Sequence, residues 1–299
     1  MSLRDVNLRQ LKLICVNDLR NALRSGSGLV YFVLALFFGL IVANLVISPF
    51  ELLVAQNELM PPAEVERSVL AFARPIIEWA LTRGETVSPE TVTWVNYLLQ
   101  ERPAMLSAIF FILLFGTPLL IPFGGFNQTS GDIGNRGLRY LLLRTERSNI
   151  YFGRLISTMI LAISVQILVI AIVATYLSFK VQIYDGMAIF TWSLQGLVAL
   201  SVLTLPYIAV CAWISASNDS PMVSLVVANV AIGGVLLLAF LAQLQWDYGK
   251  WIAWLLPWGI QKNLFRPEIP TVLTAIAACL LYTVVFAWLG ARKFATRDL

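Results

Sequence analysis

The chain has 299 residues, 59% of them hydrophobic and only 13% charged, with a mean hydropathy of +0.78. A soluble domain carries about 25% charge, so this composition excludes a soluble protein and leaves no room for a soluble domain of ordinary size beside a membrane domain. The formal net charge is a modest +4, and there is no histidine, which removes the commonest general base and metal ligand.

Residues 3–24 read as an amphipathic helix. Leu8, Leu11, Cys15, Leu19 and Ala22 recur at helical spacing, with Arg9, Lys12, Arg20 and Arg24 around them. Gly26 and Gly28 are expected to end it. A basic amphipathic helix beside a span suits a membrane surface, and a contact with a cytoplasmic partner is the second reading. Asp5 and Asp18 precede an apolar run of full span length, which does not read as a cleavable signal.

Six stretches then follow without one charged residue: 29–47, 104–126, 155–179, 189–214, 222–244 and 271–290. A bilayer core is crossed by roughly 20 apolar residues of helix, and a lipid-exposed backbone must satisfy its own hydrogen bonds. The expected fold is therefore all-α: a six-span membrane domain with an N-terminal interfacial helix and a helical extracytoplasmic loop, forming one domain over 1–299.

That loop, 48–103, is too long to be structureless. Ser88-Pro89-Glu90 reads as N-cap, N1 and N2 of a helix, with Val92, Val95, Leu98 and Leu99 on its apolar face. A second helix is expected over 63–73, with Val65, Val69 and Phe72 inward and Pro75 ending it. Pro118, Pro122 and Pro206 are expected to kink the second and fourth spans. Ala228, Ala231, Gly233 and Gly234 place small residues in the fifth span, permitting close helix contact and dimer packing. Trp246, Trp251, Trp254 and Trp258 read as an aromatic belt after it, in a segment, 245–270, that partly re-enters the interface.

Cations fix the expected orientation. Residues 1–28, 127–154 and the tail hold 13 of the 21 Lys/Arg, whereas loop 48–103 carries eight Glu against four Arg. The positive-inside rule then puts both termini in the cytoplasm of a cell that has this chain in its inner membrane.

The spans offer little to chemistry. Their polar residues are neutral, among them Asn44, Gln166, Gln195, Asn229 and Gln243, and are expected to serve as interhelical hydrogen-bond partners. A proton relay would need ionisable groups there. Cys15, Cys211 and Cys279 read as small packing residues. No phosphate-binding loop motif occurs, since Gly249-Lys250 lacks its preceding glycine and is followed by Trp251. No catalytic residue, cofactor site or metal site is expected in the chain.

The informative polar segment is 127–154. Ser130-Gly131-Asp132 precedes Leu138-Arg139, Leu141-Leu142 and Arg144, and Gly153-Arg154 opens the third span. The chain ends Phe294, then Thr296-Arg297-Asp298-Leu299. These features resemble the permease subunits of ABC-2 type ATP-binding-cassette exporters. That family typically carries Ser-Gly-Glu, a leucine run, an arginine stretch and Gly-Lys at these places, and a Phe-x-x-Arg-Asp-Leu tail. Arg136-Gly137 and Thr145 depart from the pattern.

The resemblance implies a non-enzymatic transmembrane subunit in a homo- or heterodimer of permeases. Two copies of a separate ABC ATPase would hold ATP and Mg. Asp132, Leu138, Arg139, Leu142 and Arg144 would then be coupling contacts to that ATPase. Membrane lipid and an extracytoplasmic protein are further implied partners, and nucleic acid is not. The alternative is an ATPase-linked subunit that transmits force to an extracytoplasmic machine without moving a solute.

Overall fold

The structure is a computed structural model that describes residues 7–24, 26–56, 68, 70–71, 73–78, 89–135, 141–181, 184–245 and 252–297. It is all-α, with no strand among the described residues. Among the described residues, six helices are long and apolar enough to cross a membrane.

The chain opens with α1 (Leu8–Arg24), followed by α2 (Gly26–Gln56). The Asn7 carboxamide oxygen caps α1, accepting the N–H groups of Arg9 and Gln10 at 3.1 and 3.4 Å. α1 and α2 meet at a tight corner. A Cβ on Gly28 would lie 2.0 Å from the Ala22 carbonyl oxygen, so only glycine fits there. The second membrane-length helix, α4 (Ala104–Gly125), follows a short α3 (Pro89–Asn96) that ends in a π-helical turn over Tyr97–Glu101. A single helical turn, α5 (Ser130–Gly134), leads towards α6 (Arg147–Lys180). Then come α7 (Gly186–Ser217), α8 (Pro221–Gln245) and α9 (Ile269–Ala295).

α7 is the hub, packed on α4, α6, α8 and α9, while α2 packs on α4 and α6. α4 and α7 are mostly buried, whereas α8 and α9 leave most of their apolar surface uncovered. Glycines permit the closest crossings. A Cβ on Gly196 would run into the Phe110 ring at 2.4 Å, and one on Gly39 into Val169 at 2.6 Å.

Several boundaries differ from the sequence expectation. α6 begins at Arg147, eight residues before the charge-free stretch, because Arg147 and Arg154 are held by partners inside the fold. As expected for unbroken spans, α4 is helical through Pro118 and Pro122, and α7 through Pro206. Residues 73–78 are helical with Pro75 among them, so Pro75 does not end a helix. Val65, Val69 and Phe72 lie outside the described residues, as does Ser88. In α3 the apolar face is rotated. Val92 is exposed, and Trp94 is buried beside Val95, Leu98 and Leu99. Leu98 and Leu99 follow Trp94 and Val95 by four residues and share their buried face.

The segment between α8 and α9 turns back into the bundle. The Trp254 carbonyl accepts the Tyr282 hydroxyl half-way along α9. The Trp258 ring lies 5.3 Å from that of Tyr207, about 30 Å along α7 from its start. Phe265 then returns to the end of the bundle, 5.7 Å from Trp192. Its carbonyl accepts the Trp94 indole N–H at 3.0 Å. A non-helical backbone at such depth needs protein on all sides and its own hydrogen bonds. Both conditions are met. Leu256, Pro257, Trp258, Ile260, Gln261, Leu264 and Phe265 are buried, and 3-10 turns over Pro257–Gly259 and Gln261–Phe265 close the backbone bonds. The aromatic-belt expectation is corrected accordingly: Trp258 is a core residue, Trp254 is half exposed, and Trp246 and Trp251 lie outside the described residues.

The three cysteines are buried, in line with packing roles. Of the neutral polar span residues, Asn44 joins two helices by accepting the Tyr176 hydroxyl at 3.2 Å. Asn229 instead bonds its own helix at Leu225.

Candidate functional site

The end of the bundle where α1, α5 and the C-terminus of α9 meet carries Arg9, Lys12, Arg20, Arg24, Arg144, Arg147, Arg154, Arg292, Lys293 and Arg297. We call it the basic end. Its framework is a set of bonds from side chains to distant backbone.

α5 is hung from α7 by one hydroxyl. Ser215 Oγ, fully buried, accepts both the Thr129 and Ser130 N–H groups, at 2.9 and 3.0 Å. Ser130 Oγ donates to the Phe126 carbonyl, and the Gly131 N–H donates to Asn127 Oδ1. A Cβ on Gly134 would sit 2.4 Å from the Asp219 carbonyl oxygen, so α5 lies directly on the loop between α7 and α8. The Ser-Gly-Asp motif is thus used for placement: Ser130 is buried, and Asp132 pairs with Arg154 of α6. Arg154 Nη1 also donates to the Gln128 carbonyl at 2.7 Å. Gly153, the other half of the Gly-Arg pair, lets α1 cross closely, since a Cβ there would meet Ile14 Cγ2 at 2.8 Å.

The tail is tied into the same end. Arg297 pairs with Asp219 and donates to the Ala216 carbonyl at 2.6 Å, closing the C-terminus of α7. Arg147 Nη1 donates to the carbonyls of Ala295 and Arg297, at 2.9 and 2.7 Å. A cation at the last carbonyls of a helix is favoured by both hydrogen bonding and the helix dipole. α1 is fastened through Asn149, which accepts the Asn7 N–H and donates to Gln10 Oε1. Thr145 donates to the same Gln10 oxygen at 2.9 Å.

Two cavities open here. One, of about 620 Å³, is lined by Leu142, Arg144, Glu146, Arg147 and Asn149 with Asn7 and Gln10 of α1. The other, of about 230 Å³, lies between Asp18 and Asn21 of α1, Asn127, Gln128, Asp132 and Arg154. Of the residues expected to couple, Leu142 and Arg144 share the first cavity, and Asp132 belongs to the second. Leu138 and Arg139 lie outside the described residues. Beside Arg144, Leu143 is 83% exposed, an apolar side chain presented among cations.

Asp18 was not singled out as a site residue, and Arg154 only as a motif position. Burial pushes the Asp18 carboxyl up from its ordinary value, Arg154 opposes this, and Asp132 adds to it. The small-residue stripe in α8 divides. Ala228 is fully buried within the chain, so it packs intramolecularly rather than facing a second copy. A Cβ on Gly233 would approach Leu119 of α4 at 3.7 Å, and one on Gly234 would meet Val230 of its own helix at 3.9 Å, while Ala231 is half-buried.

No protein-family model matches this sequence, and no curated protein matches it.

Proposed function

We propose that this chain is the transmembrane permease subunit of an ATP-driven exporter of the ABC-2 type, with nucleotide bound by a separate subunit docked at the basic end. The observation that carries the reading is the Ser130-Gly131-Asp132 turn, suspended from Ser215 and Arg154, with Leu143 and Arg144 exposed at the same end. In this reading energy enters from a separate nucleotide-binding subunit, and a fixed helical turn between two spans can receive a push. The ten cations at this end support a cytoplasmic orientation for it in this reading, by the positive-inside rule. The largely uncovered apolar faces of α8 and α9 leave surface for lipid and for a second permease.

A second reading, force transmission to an extracytoplasmic machine, is favoured by the opposite end. There the 89–103 segment is locked onto the bundle through Trp94 and Phe265, a stiff platform on which a partner can act.

The test is purification of the full chain from its own membranes in mild detergent. An ATP-hydrolysing subunit should co-purify, and Asp132→Ala combined with Arg144→Ala should weaken its retention without loss of membrane insertion. An intact chain that brings no ATPase would end the exporter reading. Stimulation of hydrolysis by candidate cargo in proteoliposomes separates export from force transmission.

A further inference from the structure

The smaller cavity at the basic end holds one guanidinium and two carboxylates, each on a different element. Arg154 belongs to α6, Asp132 to α5 and Asp18 to α1. Arg154 is almost buried, at 12% side-chain exposure, and it bonds Asp132 and the Gln128 carbonyl. Asp18 lines the same cavity; burial raises its carboxyl above the ordinary value, Arg154 and the Ser157 hydroxyl of α6 oppose this, and Asp132 adds to it. An ionised carboxylate in a partly buried place without a cation of its own is costly. A guanidinium offers five donors in a planar fork and can engage more than one carboxylate.

We propose that Asp132 and Asp18 are alternate partners of Arg154, so that a displacement of α5 hands the guanidinium to α1 and draws the amphipathic helix tighter against α6. The cavity of about 230 Å³ that all three residues line supplies the volume for the exchange. Asp132 is then a releasing contact, Arg154 the residue that passes the displacement on, and Asp18 the acceptor. What displaces α5 rests on the exporter reading; the exchange itself is a property of this chain.

A double-mutant cycle on the purified full chain tests it, with thermal unfolding as the readout. Asp18→Asn in the parent chain should raise or preserve the melting temperature, because Arg154 keeps Asp132. The same substitution in an Asp132→Asn background should lower it, because it removes the remaining carboxylate from a buried arginine. This reversal of sign is what alternate partnership requires. The same sign in both backgrounds would overturn the proposal. Should the double variant not fold, hydrogen exchange of the α1 amides in Asp132→Asn alone decides the matter. Slower exchange than in the parent supports transfer of Arg154 to Asp18, and unchanged or faster exchange overturns it. Both measurements use the chain without any partner, so they fail or succeed independently of ATPase capture.

Discussion

The two ends of the bundle are held by opposite means. At the basic end, segments far apart in sequence are joined by single polar contacts: Ser215 to α5, Arg154 to Asp132, Arg147 and Arg297 to backbone carbonyls. At the other end most joints are rings, beside the Trp94–Phe265 and Arg102–Tyr97 hydrogen bonds. Phe265 stacks on Phe110 at 5.9 Å and meets Phe111 and Trp192, and Arg102 lies over Tyr97 and Trp192. Aromatic packing buries large apolar area, is strong in sum and is hard to release in part. A polar contact is directional and can be exchanged one bond at a time. The comparison suits a molecule that receives motion at its basic end and keeps its aromatic end closed.

The largest expected effect comes from breaking the aromatic joint. Phe265→Ala removes a fully buried ring from among three others and should cost about 3–5 kcal/mol in thermal or denaturant unfolding. The loss should be nearly independent of salt. A next, smaller effect belongs to Ser215→Ala, which leaves two buried N–H groups without an acceptor. It should cost about 1–3 kcal/mol, and ATPase retention should fall with it while insertion persists. Equal loss of insertion in both variants would mean that the ends are not built differently.

Asp18 sharpens the comparison through pH. Its folded-state pKa is raised, chiefly by burial, and the charged groups facing it are Arg154 from α6 and Asp132 from α5, with Cys15 beside it on α1. The folded chain thus holds this proton more readily than the unfolded one. Stability is present at pH below the ordinary carboxylate value, is lost as pH rises through the raised value, and is level above it. Asp18→Asn removes that slope, so its stabilisation should be greater at neutral than at acid pH. A pH-independent difference would contradict the assignment. The smallest effect is expected for Asp219→Ala. Asp219 is 75% exposed, so its pair with Arg297 should contribute below about 1 kcal/mol and fade in high salt.

The six spans were legible because burial in lipid forbids charge, and a charge-free run is a direct imprint of that cost. The same rule misplaced the start of α6, since it stops at the first arginine and cannot see that Arg154 has found Asp132. Periodicity located α3 but mis-assigned Val92, because Trp94, Val95, Leu98 and Leu99 already fill the buried face and leave Val92 at its edge. Trp258 followed the composition of an interfacial belt, yet its ring packs on Tyr207 deep in the bundle. The Trp-rich composition of 245–270 pointed to partial re-entry, but nothing local marks how deeply the segment turns inward. At the site, the Ser-Gly-Asp turn was readable as a motif. Asp18 was not, because its relation to Arg154 links residues on separate helices and leaves no spacing to detect.

The most direct test of the central claim is site-directed capture in native membranes. Leu143→Cys at the basic end and Val92→Cys at the aromatic end, each on an exposed position, would carry a photoreactive thiol reagent. The account predicts that position 143 crosslinks to a nucleotide-binding ATPase and is shielded from impermeant reagent outside the cell. Position 92 should be labelled from outside and yield no ATPase adduct. An ATPase adduct at 92, or none at 143 in membranes where the chain is intact, would contradict the claim that energy enters at the basic end.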